Sequence, residues 1–535
     1  MTRRSLLRSM LAFSGGTFVS RLLGLVREIV IAATFGASAA TDAFLVAFRI
    51  PNFMRRLFAE GSFSMAFVPV LSEYRQTRSH AEVRELLART AGTLGAILLV
   101  VTALGVVFAD LLVGGFAPGT LDEPARFGLT TDLLRLTFPF LLFVSLTALS
   151  GAALNSFDRF GLAALTPVIL NLCMIAAALF LAPRLEVPIM ALGWAVLAAG
   201  VLQLAVQLPA LRRLGLLSWP RWGWRDSGVR RVLKLMVPTL FGSSVAQINL
   251  LLDTLIASFL IVGSQSWLGY TDRLLEFPLG LFGVALGTVI LPSLSRHHVD
   301  ADPEGFSKAL DWGLRTTLLI ALPATIGLVL LAEPILATLF QRGRFGAHDV
   351  EMAAMSLAAL SFGLPAFTLV KTLAPAFFSR QDTVTPVRAG IAAMVASMLL
   401  NGVFIALLFW LWHRPEHLAM GWADALAAIP GLHVGLALSS ACASYLNVAL
   451  LWRALRRDGV YAARPGWARH LVQLGLGCAV MAAILLAGLH AWDGWTTWGE
   501  TARAWRLAVL VGAGAAGYAL VLVATGFRPR DLRGP

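Results

Sequence analysis

Arg21, Arg27 and Glu28, followed by Arg49, Arg55, Arg56 and Glu60, lie in stretches otherwise apolar enough to cross a bilayer. A guanidinium at mid-bilayer costs roughly 2.5–3.5 kcal/mol even on a lenient insertion scale, so several on neighbouring helices would cost on the order of 10 kcal/mol against lipid. These side chains must therefore face protein, water or ligand. At about 100° per residue, Arg49, Asn52, Arg56, Glu60 and Ser64 fall within about 120° of one helix, and Arg21 and Glu28 share a face of another. Arginines outnumber acids by five to two on these two segments. A phosphate-bearing ligand neutralises such an excess well, because the planar guanidinium fork binds phosphate oxygens in pairs. Pairing within the protein is the competing reading: Arg56 with Glu60 one turn on, Arg21 with Glu28, and Arg273 with Glu276 or Asp272.

Two further polar positions stay open at this level. Lys371 either snorkels and packs or joins the same polar set. Asp253 is a lone carboxylate in an apolar segment: it binds Na⁺ or a proton, or is capped by a neighbour such as Asn249. No ligand spacing for a metal, no Walker motif and no nucleophile–base set stands out, so neither a metal site nor a catalytic residue is expected.

The elements that must position these charges are membrane spans. Of 535 residues, 58% are apolar and 14% charged, against roughly 45–50% and about 25% in soluble proteins. That excludes a soluble enzyme, a disordered chain and a disulfide scaffold. Cys173, Cys442 and Cys478 all lie in apolar runs and are expected to pack rather than pair. Fourteen spans are expected. The first seven lie near 10–34, 43–70, 90–113, 132–154, 162–182, 188–211 and 234–262. The rest lie near 266–292, 312–332, 352–378, 387–411, 431–452, 468–490 and 504–526. The formal charge of +13 would suggest nucleic acid in a soluble domain. Here Lys and Arg crowd the segments 71–89, 212–234 and 453–469, while the alternate loops hold only Arg126, Arg184, Arg342, Arg344, Arg414 and Arg503. That asymmetry places both termini in the cytoplasm and leaves no role for nucleic acid.

The chain also matches itself at a shift near 226 residues. Gly36 pairs with Gly263, Pro51 with Pro278, Arg89-Thr90 with Arg315-Thr316 and Pro139 with Pro365. The preserved order marks a duplicated six-helix unit. An even number of spans per copy gives both copies one orientation, with a central cavity expected between them. The expected division is a first lobe over 1–228, a second over 229–460, two added helices over 461–526 and a cytoplasmic tail over 527–535.

Several runs carry a family likeness. Ser20-Arg21-Leu-Leu-Gly24-Leu-Val-Arg27-Glu28, Ala-Thr-Asp42-Ala-Phe, Pro51-Asn52 and Arg55-Arg56-Leu-Phe-Ala-Glu60-Gly61 resemble the opening helices of the MurJ/MviN family of lipid II flippases. The likeness continues in Asp272-Arg273-Leu-Leu-Glu276-Phe-Pro278, Asp311-Trp312-Gly-Leu-Arg315 and Ser379-Arg380-Gln-Asp382-Thr. The resemblance implies a MATE-like, all-α fold of the multidrug/oligosaccharidyl-lipid/polysaccharide exporter superfamily. Two six-helix lobes would surround a cationic cavity, and two extra helices would shape an apolar groove for a polyprenyl tail. It implies alternating-access transfer of lipid II, the undecaprenyl-diphosphate-linked peptidoglycan precursor, to the outer leaflet of the bacterial inner membrane.

Arg21, Arg27, Arg55 and Arg273 match the family's diphosphate-binding set, and Glu28, Asp42, Glu60, Asp272 and Glu276 are the acidic gating candidates. Arg49, Asn52, Arg56 and Lys371 are secondary cavity candidates. Asp253 and Asn401 are the candidates for a sodium site, although the eleventh span lacks a carboxylate. The expected protein is a monomer without a cofactor, coupled to the membrane potential, Na⁺ or H⁺. Membrane lipids and the cell-wall synthesis and division machinery are the expected partners. An exporter of another polyprenyl-diphosphate oligosaccharide would ask for the same arginines, whereas a multidrug exporter would want an acidic, aromatic cavity.

Overall fold

The computed structural model describes residues 20–56, 62–280 and 284–528. Glu60 lies outside the described residues. Those residues form helices and connecting turns, with no strand among them. Ten helical segments in the described set are long and apolar enough to cross a bilayer. The expected spans near 10–34, 43–70, 234–262 and 266–292 are not among these ten. They include the segments that carry Arg27, Arg49, Asp253 and Arg273, and each of them includes residues or side chains outside the described set.

The chain divides into two compact units, Met1–Gln265 and Ser266–Pro535. The first begins with α1 (residues 20–35), α2 (Ala39–Arg55), α3 (Ser62–Thr77), α4 (His80–Val107) and α5 (Ala109–Phe116). It continues through α6 (Pro124–Thr137), α7 (Phe140–Ser156), α8 (Phe160–Ala176), α9 (Met190–Arg213) and α10 (Ser227–Ala257). Ser38 caps α2 through the Thr41 amide, and Ser79 with Glu82 forms a capping box on α4, which fixes where these helices start. Their apolar faces meet around Phe44, Phe63, Phe67, Leu98 and Phe140. The repeat puts α10 at the head of the second copy, but α10 packs along α3 and the compact division falls after it.

The second unit holds α11 (Ser264–Pro278, its first two residues before the division), α12 (Val284–Val299), α13 (Pro303–Leu330), α14 (Ala332–Leu339) and α15 (Ala347–Ser361). It continues with α16 (Leu364–Phe378), α17 (Val384–Trp412), α18 (Pro415–Leu418) and α19 (Trp422–Ala428). It closes with α20 (Val434–Arg457), α21 (Trp467–Ala491) and α22 (Glu500–Ala524). Here α17 packs on α20, and α13 lies against both α16 and α21. Ile290, Phe306, Leu310, Phe377 and Leu451 form the core beside α13.

The duplication is visible in local geometry. Gly36 ends α1 with φ +67°, and Gly263 follows α10 with φ +99°, a left-handed conformation that L side chains resist. In the first unit, the chain after α9 folds back on α4: Arg221 N–H donates to Ala88 O at 3.0 Å and Gly223 N–H to Thr93 Oγ1 at 2.9 Å. A Cβ on Gly92 would stand 2.2 Å from the Arg221 carbonyl oxygen, so only glycine admits that approach. In the second unit, the chain after α20 folds back on α13 in the same manner, with Ala462 N–H donating to Ser307 Oγ at 3.1 Å.

Candidate functional site

The polar residues of α1 and α2 fall into distinct environments. Arg27 and Glu28 are buried and in contact with each other, and Arg27 Nη1 donates to Asn171 Oδ1 of α8 at 2.9 Å. Asn171 Nδ2 in turn donates to the Ser20 carbonyl at 3.1 Å. Arg27 thus ties α1 to α8, while Arg21 is half-buried on the same helix. Asn171 carries no charge. Its signal in the sequence is a lone amide in an apolar run.

Along α2, a rise of about 1.5 Å per residue spreads the polar groups over roughly 20 Å. Asp42 sits in the first turn, fully buried. Its Oδ2 accepts the Gly263 N–H at 2.8 Å and lies 3.7 Å from the guanidinium of Arg126 on α6. Two turns on, Arg49 Nη1 donates to Thr254 Oγ1 and to Gln265 Oε1, both at 2.7 Å. Gln265 Nε2 donates to the Thr254 carbonyl at 2.7 Å, which fixes the amide that receives Arg49. At the far end, Arg55 Nε donates to Asn52 Oδ1 at 2.9 Å, and Arg56 is half-buried beside them. The helix therefore carries a buried carboxylate anchor at one end and a pair of arginines at the other. Arg126, expected only as a loop charge, is 6% exposed and belongs to the anchor.

Asp253 on α10 accepts a hydrogen bond from Asn249 Nδ2 at 3.2 Å, one turn back on the same helix. In the second unit, Arg273 Nη1 and Glu276 Oε2 of α11 are 2.8 Å apart with both side chains partly exposed, and Asp272 is half-buried. Lys371 is exposed on α16, and Asn401 is fully buried on α17. Asp253 and Asn401 belong to different units. No group of three His, Cys, Asp or Glu side chains among the described residues could hold a metal ion.

A second polar cluster emerges only in the folded chain. Asp311 of α13 is buried and accepts hydrogen bonds from Tyr461 Oη at 2.8 Å, Trp467 Nε1 at 2.7 Å and Arg315 Nε at 2.7 Å. Burial, reinforced by the Asp311 carboxylate, holds the Tyr461 phenol proton on well above its ordinary range. Tyr461 and Trp467 come from segments about 150 residues away in the sequence. Nothing local announces that pairing.

The described residues of α1 and α2, with Arg56, carry an excess of positive charge. Arg21, Arg27, Arg49, Arg55 and Arg56 stand against Glu28 and Asp42, and Asp42 is already bound to Gly263 and Arg126. The family model for the lipid II flippase MurJ matches residues 31–503. The probable lipid II flippase MurJ of Vibrio cholerae is 46% identical, over 99% of this chain and 98% of that protein. The lipid II flippase MurJ of Burkholderia cenocepacia is 44% identical, over 91% of this chain and 90% of that protein. A solved lipid II flippase MurJ in an inward closed conformation superposes with a TM-score of 0.76 at 27% identity, covering 95% of this chain and 97% of that one. An inward-facing MATE family multidrug resistance transporter of the MOP superfamily gives a TM-score of 0.63 at 12% identity, a likeness of fold alone.

Proposed function

The chain belongs to the MurJ family of lipid II flippases, and from that premise we propose that the arginines of α1, α2 and α11 receive the diphosphate of lipid II. The protein is a lipid II flippase of the inner membrane, a transporter and not an enzyme. The observation that carries the proposed site is the cationic excess among the described residues of α1, α2 and Arg56, where five arginines stand against Glu28, paired with Arg27, and Asp42, committed to an anchor.

In this reading, Arg21, Arg27, Arg55 and Arg273 contact phosphate oxygens, with Arg49 and Arg56 adding positive potential. Glu276 pairs with Arg273 at 2.8 Å, and so reclaims that guanidinium once the headgroup leaves. The headgroup crosses by alternating access while the polyprenyl tail stays in lipid beside α21 and α22. Both termini lie in the cytoplasm, following the Lys and Arg distribution. Each charge moved through 100 mV contributes roughly 2.3 kcal/mol, so about two phosphate charges leaving an inside-negative cell gain on the order of 4–5 kcal/mol. The membrane potential is therefore sufficient to drive transfer outward.

Proteoliposomes containing the full chain and lipid II test the reading. Arg21→Ala, Arg55→Ala and Arg273→Ala should each slow flipping, and an imposed potential should speed the unmodified protein. Flipping at the unmodified rate by all three variants would overturn it.

A further inference from the structure

Helices α21 and α22 lie outside the internal repeat, and a cavity of about 430 Å³ opens where they approach α13. Arg315, Arg469, His470, Gln473, Phe527 and Arg528 are among its lining residues. Among the described residues no carboxylate lines it.

The wall is organised by the fold itself. Buried Asp311 holds Arg315 Nε, and Arg315 Nη2 donates to the Arg464 and Pro465 carbonyls at 3.2 and 3.0 Å. The guanidinium also stacks over the Trp467 ring, 5.0 Å from its centroid. Among the described residues no hydrogen bond engages Arg315 Nη1, which faces Gly466 at the start of α21. Arg469 Nη2 and Gln473 Nε2 both donate to the Thr525 carbonyl, at 3.3 and 2.8 Å, which caps the C-terminal end of α22. Gly526 then turns the chain with φ +88° and brings Phe527 and Arg528 into the cavity wall. Three guanidiniums thus stand around one opening, and the Asp311 carboxylate is buried behind Arg315. The N-terminus of α21, which has no side-chain cap, adds further positive potential.

The position selects the ligand's chemistry. The cavity lies at the start of α21 and just past the end of α22, two of the ten apolar spans, which is headgroup depth on the side the Lys and Arg distribution assigns to the cytoplasm. Leu471, Val472 and Leu476, exposed on the first turns of α21, offer an apolar surface for hydrocarbon. Basic pockets among transmembrane helices at this level hold anionic lipid headgroups. We propose that the cavity binds the phosphate of an anionic phospholipid of that leaflet, held by Arg315 Nη1, Arg469 and Arg528, with an acyl chain along α21. The bound lipid would pin the two added helices to α13, independently of the flipping substrate.

The test uses the full-length protein in phosphatidylcholine nanodiscs containing a minor fraction of phosphatidylglycerol and no polyprenyl lipid. Lipid retained through a detergent wash is measured by mass spectrometry. The unmodified protein should retain phosphatidylglycerol selectively. Arg469→Gln combined with Arg528→Gln should bind it roughly 30-fold more weakly, with phosphatidylcholine retention unchanged. Thr316→Glu, which places a carboxylate in the lining and leaves all three arginines, should give the same loss with an unchanged unfolding midpoint in phosphatidylcholine alone. Equal phosphatidylglycerol retention by the unmodified protein and both variants overturns the proposal. Displacement of the lipid by excess inorganic phosphate also overturns it, because the cavity would then be a site for a soluble anion.

Discussion

Arg315 donates Nε–H to Asp311 at 2.7 Å, one turn back on α13, and Arg89 does the same to Glu85 at 2.8 Å on α4. The two arginines are partners in the internal repeat, and each also receives a segment returning from later in its own unit. Arg89 Nη1 meets Asp226 at 2.8 Å, while Arg315 takes the Arg464 and Pro465 carbonyls. A helical i, i+4 pair therefore serves twice as the clamp on which a six-helix copy closes. The two clamps differ in burial: Glu85 and Arg89 are both about a third exposed, whereas the Asp311 side chain is 4% exposed.

That difference makes Asp311 the more costly residue to remove. Asp311→Leu leaves Arg315 short of its counter-charge and strips Tyr461 and Trp467 of their acceptor, so it should destabilise the protein by about 3 kcal/mol. Glu85→Leu, at a solvated pair, should cost much less. Unfolding midpoints of the two variants in one detergent would measure the ratio, and equal losses would show that burial does not set the value of the clamp.

The Asp42–Gly263 contact predicts a second asymmetry. Gly263→Ala forces a Cβ into a left-handed conformation at about 1–2 kcal/mol and disturbs the N–H that Asp42 accepts. Gly115→Ala, inside α5 with nothing within 4 Å of the new Cβ, should be neutral or stabilising. Asp42→Asn keeps an acceptor for the amide but loses the charge facing Arg126, so it should retain more folded protein than Asp42→Ala. Membrane-inserted yield and thermal midpoints for the four variants check the order.

The sequence exposes whichever parts of this arrangement are local or periodic. The α2 stripe of Arg49, Asn52 and Arg56 follows from helical spacing, and the repeat partners Arg89 and Arg315 can be matched without coordinates. Asp42 pairs with an amide 221 residues away, and Asp311 with a phenol 150 residues away, and no spacing rule reaches that far. Arg126 reads as a loop charge because topology counting assigns sides of the membrane, not burial. Arg27 reads as a ligand-binding cation, and the structure adds its bond to Asn171, a neutral residue that charge inspection passes over.

Outside the spans, Asp302 gives a pH dependence with a definite sign. It caps α13 by accepting the Gly305 N–H at 2.9 Å and lies 3.0 Å from His297 Nδ1. The Gly305 amide, ahead of the His297 contribution, holds its carboxyl below the ordinary carboxylate value. A carboxylate whose pKa is depressed in the folded state contributes stability that is present above the unfolded pKa and fades as pH falls through the folded one. The unfolding midpoint of the unmodified protein should therefore approach that of Asp302→Asn as pH falls below about 4. Gly305→Ala, whose Cβ would lie 2.0 Å from Asp302 Oδ2, should abolish the difference at every pH.

Arg55 separates charge from geometry in the proposed diphosphate site. Its Nε is tied to Asn52 Oδ1, a bond that fixes the plane of the guanidinium. Arg55→Lys keeps the charge but replaces the fork with a point donor, so it should bind diphosphate less well while preserving the local potential. A hydrogen bond to a charged group contributes about 1.5–3 kcal/mol, so Arg55→Ala should slow flipping by at least about tenfold and Arg55→Lys by less. Asn52→Leu leaves the guanidinium in place without its orienting acceptor and should fall between the lysine variant and the unmodified protein. The rates come from proteoliposomes carrying fluorescent lipid II and a membrane-impermeant quencher, at matched protein content. If Arg55→Lys proves as slow as Arg55→Ala, the fork outweighs the charge. If Arg55→Ala flips as fast as the unmodified protein, Arg55 does not contact the diphosphate.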